Sequence, residues 1–159
     1  MCGICGVLHL NQPGFIEPEV LRTMTAMLVH RGPDEAGFFR DDRVALGHAR
    51  LSIIDLAGGS QPLCNEDRTL WIVFNGEIFN YLELRKELQA AGHIFRTNSD
   101  TETIVHAYEE YGVDCLQRFN GQFAFALWNS RTHKLLLARD RMGICPLYYC
   151  MSGGRMIFA

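Results

Sequence analysis

One run of residues, Phe123-Ala124-Phe125-Ala126-Leu127-Trp128, constrains the fold more than any other stretch of the chain. All six residues are apolar, whereas a strand with one face in water alternates apolar with polar residues. We therefore expect a strand here that lies between two layers, with both faces covered. The chain has 159 residues, of which 48% are hydrophobic and 21% are charged. This length and composition suit one domain with a substantial core.

Strands and helices are predicted on both sides of this run. Strands are expected at residues 4–10, 37–40, 44–54, 70–74, 93–97 and 134–139, with a hairpin formed by 147–149 and 156–158. Helices are expected from Pro18, from Asn80 to Gly92 and from Ser99 to Gly112. Many strands with about three grouped helices predict an α+β fold, in which two stacked sheets carry the helices on their outer faces.

Three local patterns add detail to this prediction. The dipeptide Asn75-Gly76 is typical of a tight turn, so the strand at 70–74 should end there. Asn80 and Glu83 have the spacing of a capping box at the start of a helix. Apolar residues at helical spacing predict that the first helix buries a face formed by Val20, Leu21, Met24, Met27 and Leu28.

Charge and hydropathy argue against several classes of function. The net charge is −3, with 15 basic and 18 acidic residues and no block of Lys or Arg, so no nucleic-acid partner is expected. No apolar run approaches the roughly 20 residues that span a bilayer. No basic region precedes the first apolar stretch, as it would in a secretory signal. We therefore expect a cytoplasmic protein with reduced thiols and no membrane partner.

The cysteines do not predict a disulfide framework, because a chain of this size and apolar content needs no disulfide bonds to be stable. There are six, at positions 2, 5, 64, 115, 145 and 150. Cys2 and Cys5 have C-x-x-C spacing, which leaves a redox or metal module as one alternative. A strand rather than a helix should follow them, and no second pair has zinc-ligand spacing. The other four are expected to be ordinary buried or half-buried residues.

Cys2 is one cleavage from the amino terminus. Removal of Met1 would place a thiol and a free α-amine on one residue. The ordinary pKa of a thiol is about 8.5 and that of an α-amine is about 8. A thiol whose own amine takes its proton is an N-terminal nucleophile. The alternative is a cysteine at position 2 that has no catalytic role.

Charged and amide residues predict a small-molecule site around this nucleophile. Arg50 lies in an apolar strand, where it needs an anion: either an acidic residue or a substrate carboxylate. Asp100 could cap a helix or pair with a substrate ammonium. Asn75-Gly76 could form only a turn, or could present a side-chain and a backbone N–H as an oxyanion hole. Together they would fit a free amino acid.

The histidines are not expected to carry the chemistry. His30 is the candidate general base, but a nucleophile with its own amine needs no imidazole, so a structural loop role is favoured. The other five, at positions 9, 48, 93, 106 and 133, show no metal-ligand spacing. The sequence therefore predicts no metal site.

These motifs, taken together and in order, resemble the class II glutamine amidotransferases, whose fold is that of the N-terminal nucleophile hydrolases. The resemblance covers essentially the whole chain. It rests on the residues at 2–4, 30–34, 47–48, 50–55, 61–63, 74–80, 99–102, 123–127, 139–143 and 146–148. The string at 50–55 and the string formed by 139–140 and 146–148 are most similar to the asparagine-synthetase branch.

The resemblance implies a four-layer α/β/β/α sandwich of two mainly antiparallel sheets and a catalytic role for three residues. Cys2, freed of Met1, would attack the side-chain amide of glutamine. Asn75 and the backbone N–H of Gly76 would hold the oxyanion. A γ-glutamyl thioester would form, ammonia would leave, and water would release glutamate.

The remaining site residues are implied to bind the substrate. Arg50 would bind the glutamine carboxylate and Asp100 the amine. Backbone groups around Leu51, Ile53, Ile54 and Glu77 would line the pocket.

The family also implies a partner for this domain. Ammonia passes to a C-terminal synthetase domain that uses ATP and magnesium to activate an acid, which is aspartate in asparagine synthetases. The 159 residues would then be an amidotransferase domain from a longer protein, with no cofactor of its own. A homodimer is one option for its oligomeric state. The alternatives are a non-catalytic glutamine-binding module, or an amidotransferase that feeds another acceptor.

Overall fold

The computed structural model describes residues 1–51 and 59–159, which form two β-sheets with helices on their outer faces. The first sheet contains β1 (Gly3–His9), β2 (Glu35–Arg40), β3 (Val44–Arg50), β8 (Tyr149–Ser152) and β9 (Arg155–Phe158). The second contains β4 (Leu63–Cys64), β5 (Leu70–Ile78), β6 (Gly121–Asn129) and β7 (Lys134–Arg139). The helices are α1 (Pro18–Ala26), α2 (Tyr81–Ala90) and α3 (Asp100–Tyr111), with a 3-10 helix at Gly112–Gln117.

The strands pair in the orders β2-β3-β1-β9-β8 and β4-β5-β6-β7. Each of these pairings is antiparallel. Ile4 lies opposite His48 in the first sheet, and Phe74 lies opposite Phe125 in the second. The predicted α+β class with two antiparallel sheets is therefore confirmed.

The position of strand β6 explains why its apolar run contains no alternating polar residues. Phe123, Phe125 and Leu127 pack on the side of α2 and α3. Ala124, Ala126 and Trp128 face the first sheet, in a cluster with Ile4, Val44 and Leu46. All six residues of the run are buried, because successive strand residues point to opposite faces and both faces are covered. The prediction of a strand between layers is confirmed.

The layers follow the order α1, first sheet, second sheet, then α2 with α3. Leu21 of α1 packs on Cys5, Val7 and Ala45 of the first sheet. Leu84 of α2 joins the cluster on the outer face of the second sheet. The chain therefore forms the predicted four-layer α/β/β/α sandwich.

The predicted turn at Asn75-Gly76 is wrong. Both residues lie inside β5, which pairs with β6 as far as Ile78 opposite Gly121. A ladder this long outweighs the local turn preference of Asn-Gly. Gly76 has φ +144°, and a Cβ there would lie 2.0 Å from the Gln122 carbonyl oxygen. The glycine is needed for close approach of two strands rather than for a turn.

The helix starting at Asn80 is confirmed, but its predicted capping box is wrong. The Asn80 side chain makes no capping bond. Instead, Asn80 Nδ2 donates to the Arg118 carbonyl and Asn80 Oδ1 accepts from the Asn120 N–H. These tertiary hydrogen bonds use the side-chain amide of Asn80, which a capping box would need as the acceptor of a helix N–H.

Two further predictions are corrected. Residues 93–97 form no strand, because the Arg96 and Thr97 N–H groups donate to the Glu102 carboxylate instead of a neighbouring strand. On α1, Val20 is 47% exposed and Met27 73% exposed. The buried face is narrower than predicted, because the sheet covers only the side that carries Leu21.

The cysteine predictions hold with one exception. Cys115 and Cys145 are buried and Cys64 is half-buried, whereas Cys150 is exposed because every residue of the edge strand β8 is exposed. Strand β3 ends at Arg50, one residue before the undescribed segment, and residues 52–54 of the predicted continuation lie outside the described residues. Within the described ranges, no helix is long and apolar enough to cross a membrane.

Candidate active site

A cavity of about 110 Å³ opens beside the start of the chain. Seven residues that the sequence singled out line it: Cys2, Arg50, Leu51, Asn75, Gly76, Glu77 and Asp100. They come from the chain start, the end of β3, the last part of β5 and the start of α3. The other two, Ile53 and Ile54, lie outside the described residues. The fold thus brings together residues that are up to 98 positions apart in sequence.

Cys2 lies immediately before β1 and is held against the end of β3. The backbone N–H of Leu51 donates to Cys2 Sγ at 3.4 Å, and the Leu51 carbonyl lies 3.6 Å from the same sulfur. The Cys2 carbonyl accepts from Arg31 Nε at 3.0 Å. Main-chain and side-chain bonds together fix the thiol at the cavity wall.

Cys5 faces away from this cavity. Its sulfur lies 3.4 Å from Thr25 Oγ1 of α1, and its burial raises the pKa of the thiol. The thiols of the C-x-x-C spacing therefore face opposite sides of the first sheet, and both cysteines are free. His30 lies in the turn that follows α1, where its Nδ1 is 3.0 Å from the Met27 carbonyl. This contact agrees with the structural role favoured for it.

Arg50 is 5% exposed at the end of β3. Its Nη1 donates to Glu35 Oε2 at 3.0 Å, and the two residues are opposite each other in the β2–β3 pairing. The sequence offered two alternatives for Arg50, an acidic residue of the protein or a place in the substrate site. In the structure Arg50 pairs with Glu35 and also lines the cavity. The ion pair orients the guanidinium toward a cavity that could hold a carboxylate.

Asp100 is the first residue of α3 and is 4% exposed. The predicted capping role belongs to its neighbour, because the Ser99 side chain accepts from the Thr101 N–H. Asp100 Oδ2 accepts from the Ile78 N–H at 3.0 Å. Burial raises the pKa of Asp100, and the Glu77 charge adds to this while backbone N–H bonds oppose it. A cation in the cavity would stabilise the ionised carboxylate.

Asn75 presents a buried amide to the cavity. The residue is 3% exposed, and its Oδ1 has no hydrogen-bond partner among the described residues. Leaving a buried polar atom unpaired costs about 1–3 kcal/mol. A ligand that donates an N–H or O–H to this oxygen would remove that cost.

The open edge of β5 directs backbone N–H groups toward the same place. The Phe74 N–H donates to Gln61 Oε1 at 2.7 Å, and the Ile78 N–H donates to Asp100. In an antiparallel strand, alternate residues point their N–H groups to the same edge. We infer that the Gly76 N–H, which lies between these two, points to this edge beside Asn75. A side-chain amide and a backbone N–H can thus face one point.

Comparison with known proteins identifies the family. The model of the glutamine amidotransferase domain family matches residues 1–159. This chain belongs to that family.

Relatives of known name agree with this assignment. Asparagine synthetase [glutamine-hydrolyzing] 1 of Bacillus subtilis is 47% identical over 161 residues, which cover 100% of this chain and 26% of that protein. Asparagine synthetase [glutamine-hydrolyzing] 1 of Arabidopsis thaliana is 44% identical over 148 residues, which cover 93% of this chain and 25% of that protein. The chain therefore spans about a quarter of the length of these relatives.

A solved structure shows the same fold. Glutamine phosphoribosylpyrophosphate amidotransferase from B. subtilis superposes with a TM-score of 0.79 over 98% of this chain and 41% of that chain, at 22% identity. The similarity agrees with the four-layer sandwich fold that the sequence predicted.

Two residues of this amidotransferase domain received no role from the sequence. Gln61 Nε2 donates to Thr101 Oγ1 at 3.3 Å, while Gln61 Oε1 accepts from the Phe74 N–H. His48 is fully buried, and its Nε2 lies 3.1 Å from the Phe74 carbonyl. Both side chains hold β5 just before Asn75, at the edge that β4 leaves unpaired. Gln61 and His48 stand within the family motifs, but only their contacts reveal this role.

Proposed function

We propose that this amidotransferase domain hydrolyses glutamine to glutamate and ammonia, with Cys2 as the nucleophile. One observation carries the proposal: Cys2, Arg50, Asp100, Asn75 and Gly76 all line a single cavity. Glutamine offers the matching groups, which are an electrophilic amide carbon, a carboxylate, an ammonium and an amide oxygen.

Substrate binding is assigned to Arg50 and Asp100. A guanidinium binds a carboxylate through two parallel bonds, which fixes both distance and orientation. The ammonium of glutamine would lie beside Asp100, where it offsets the cost of burying that charge. Backbone groups near Leu51 and Glu77, together with Ile53 and Ile54, complete the proposed pocket.

The proposed chemistry has two stages. The Cys2 sulfur forms a bond to the amide carbon, and its proton passes to the α-amine of the same residue. The oxyanion is held by Asn75 and the Gly76 N–H. The α-amine returns the proton to the leaving nitrogen, the C–N bond breaks, and ammonia departs. Water then attacks the γ-glutamyl thioester, which releases glutamate and restores the thiol.

This mechanism requires the removal of Met1. Met1 is joined to the α-amine of Cys2 by a peptide bond, and it also lines the cavity. Its removal would provide the base and clear part of the substrate site. The intact mass of the purified protein measures whether it has occurred.

The direct test is glutamate release from glutamine by the processed protein and two cysteine variants. Cys2→Ala should abolish release. Cys5→Ala removes a thiol of the same motif that faces α1, and it should retain activity. Equal rates for Cys2→Ala and the parent protein would reject the proposal.

A non-catalytic glutamine-binding module is the second candidate, because Arg50 and Asp100 at the cavity wall could bind glutamine without any reaction at Cys2. This candidate predicts a purified protein that retains Met1, binds glutamine and releases no glutamate. Mass spectrometry and a binding measurement on the same sample distinguish the two functions.

For the whole protein, we propose that the ammonia serves an ATP-dependent amidation. The support is the 41–47% identity with three B. subtilis proteins that are named asparagine synthetases, which favours aspartate as the acceptor. ATP and magnesium would be used by a C-terminal synthetase domain, not by the residues described above. A cytoplasmic location and a homodimer belong to the same proposal. Asparagine formation from aspartate, glutamine and ATP by the full-length protein tests the acceptor, and amidation of a different acid would replace it.

A further inference from the structure

A second cluster of ionisable groups lies outside the cavity beside Cys2, between α3 and the segment that follows α2. His93 follows α2, whereas His106 and Glu109 stand on α3. The Nδ1 atoms of His93 and His106 are 3.3 Å apart. Glu109 Oε2 is 2.8 Å from His106 Nδ1 and 3.6 Å from His93 Nδ1. Three potential ligand atoms therefore surround one point.

These separations are those expected for ligands on one tetrahedral ion. With Zn–N and Zn–O bonds of about 2.0–2.2 Å, tetrahedral ligands lie about 3.3–3.6 Å apart. Two of the three distances fall in this range, and the shorter distance between His106 and Glu109 requires a small side-chain movement. The side chains of His93 and Glu109 are 16% and 25% exposed, so an ion can reach the cluster from solvent.

The far side of each imidazole faces a carboxylate. His93 Nε2 is 3.1 Å from Glu110 Oε2. His106 Nε2 is 3.6 Å from Glu66 and 3.8 Å from Glu102, which are ion-pair distances. Histidines that bind a metal commonly direct their second ring nitrogen to a carboxylate, which orients the ring and increases its basicity. The His93 ring has this arrangement at hydrogen-bond distance, whereas the carboxylates facing His106 Nε2 lie at ion-pair distance only.

The cluster attracts positive charge. Four carboxylates lie within 3.8 Å of the ring nitrogens of the two imidazoles, so a cation bound between the rings would be stabilised. Although burial lowers the pKa of His106, the Glu102 and Glu109 carboxylates raise it to about 9. A proton is thus the competing occupant, and the test has to distinguish a proton from a metal ion.

We propose that His93, His106 and Glu109 bind one divalent transition-metal ion, with Zn²⁺ as the ion that best suits two imidazoles and a carboxylate in tetrahedral geometry. Water would supply the fourth ligand. The ion would join the segment after α2 to the middle of α3, the helix that carries Asp100 at its start. The role is structural and does not rest on the proposed glutamine hydrolysis.

The test is titration of chelator-treated protein with Zn²⁺, followed by calorimetry and thermal melting. The variants are His93→Gln and Glu109→Gln, which change groups at the surface of the cluster and should leave the buried His106 in place. The control is His133→Asn, because His133 is exposed and its φ of 52° is one that Asn accepts. We expect one ion per chain and a higher melting temperature for the parent and the control. Each ligand variant should bind at least about tenfold more weakly.

The six thiols are a second possible destination for the metal, so Co²⁺ serves as a spectroscopic probe. Binding at the proposed site should give tetrahedral d–d absorption without a thiolate charge-transfer band. His93→Gln should lose this absorption while its circular dichroism matches that of the parent. A thiolate band, unchanged affinity in His93→Gln, or no Zn²⁺ binding would each overturn the proposal. The last result would assign the cluster to a proton alone.

Discussion

His48 Nε2 lies 3.1 Å from the carbonyl oxygen of Phe74, so a buried histidine of the first sheet holds β5 of the second sheet just before Asn75. Burial lowers the pKa of His48 to about 4, and the Arg50 charge contributes, while the bond to Phe74 opposes the shift. The contact that positions the proposed oxyanion hole therefore uses an imidazole that is neutral at pH 7.

We expect this histidine to make the protein less stable in mild acid. The unfolded histidine titrates near about 6.5, so the unfolded state binds more protons than the folded state between that value and about pH 4. The free energy of unfolding therefore decreases as the pH falls through this window, by about 2 kcal/mol for this group between pH 7 and pH 5. Urea unfolding at the two values measures the effect.

His48→Gln is the matched control for this prediction. Glutamine can donate to the Phe74 carbonyl but does not titrate. Its stability should change less than that of the parent between pH 7 and pH 5. An identical change in the two proteins would show that another group is responsible.

Arg50→Ala should weaken glutamine binding more than it slows the chemistry. Hydrogen bonds to charged groups contribute about 1.5–3 kcal/mol, which is about 10- to 150-fold in affinity. We expect KM for glutamine to rise by this factor with a smaller change in kcat. Arg22→Ala is the control, because Arg22 forms an exposed ion pair with Glu19 on α1 and should leave KM unchanged. An unaltered KM in Arg50→Ala would remove Arg50 from the substrate site.

Asp100→Asn should weaken glutamine binding without lowering the stability of the folded protein. Burial raises the pKa of Asp100 above that of an unfolded aspartate, so ionised Asp100 makes the folded state less stable at neutral pH than at low pH. The neutral amide avoids this cost, and we expect the variant to be at least as stable as the parent at pH 7 in urea unfolding.

The same substitution should raise KM for glutamine, because the partner of the ammonium is lost. A substrate analogue without the α-amine provides the control. It should be a poorer substrate than glutamine for the parent, while Asp100→Asn should discriminate less between the two compounds. Equal discrimination by both proteins would contradict the assigned role.

Gly76→Ala should destabilise the domain and abolish glutamine hydrolysis. The added Cβ would lie 2.0 Å from the Gln122 carbonyl oxygen and would force β5 away from β6. Gly92→Ala is the control, since Gly92 also has a positive φ, +105°, but has no atom within 4 Å of an added Cβ. Backbone strain alone costs about 1–3 kcal/mol, so Gly76→Ala should lose more stability than Gly92→Ala in urea unfolding. Similar losses would show that strain, not close approach, explains the glycine.

Local sequence determined those strands and helices whose position follows from the hydrophobicity or the hydrogen-bonding groups of their own residues. The apolar run in β6 has no stable position except between layers, because all its side chains avoid water. Ser99 before α3 and the first-turn proline of α1 mark helix starts through groups that lie within one turn. Cys2, Arg50 and Asp100 were also identified from local sequence, since a terminal thiol or a charge in those contexts suggests chemistry. The pocket-lining roles of Leu51, Ile53, Ile54 and Glu77 came only from the resemblance to the family.

Tertiary structure decided the features that depend on distant partners. Asn75-Gly76 lies in a strand because β6 pairs along it, and Asn80 leaves its capping role because residues 118 and 120 lie beside it. His93 and His106 are 13 residues apart with no ligand spacing, yet their Nδ1 atoms meet at 3.3 Å. Short-range preferences are worth a fraction of a kcal/mol to about 1 kcal/mol per residue. Strand pairing and layer packing sum over many residues, so they prevail where the two conflict.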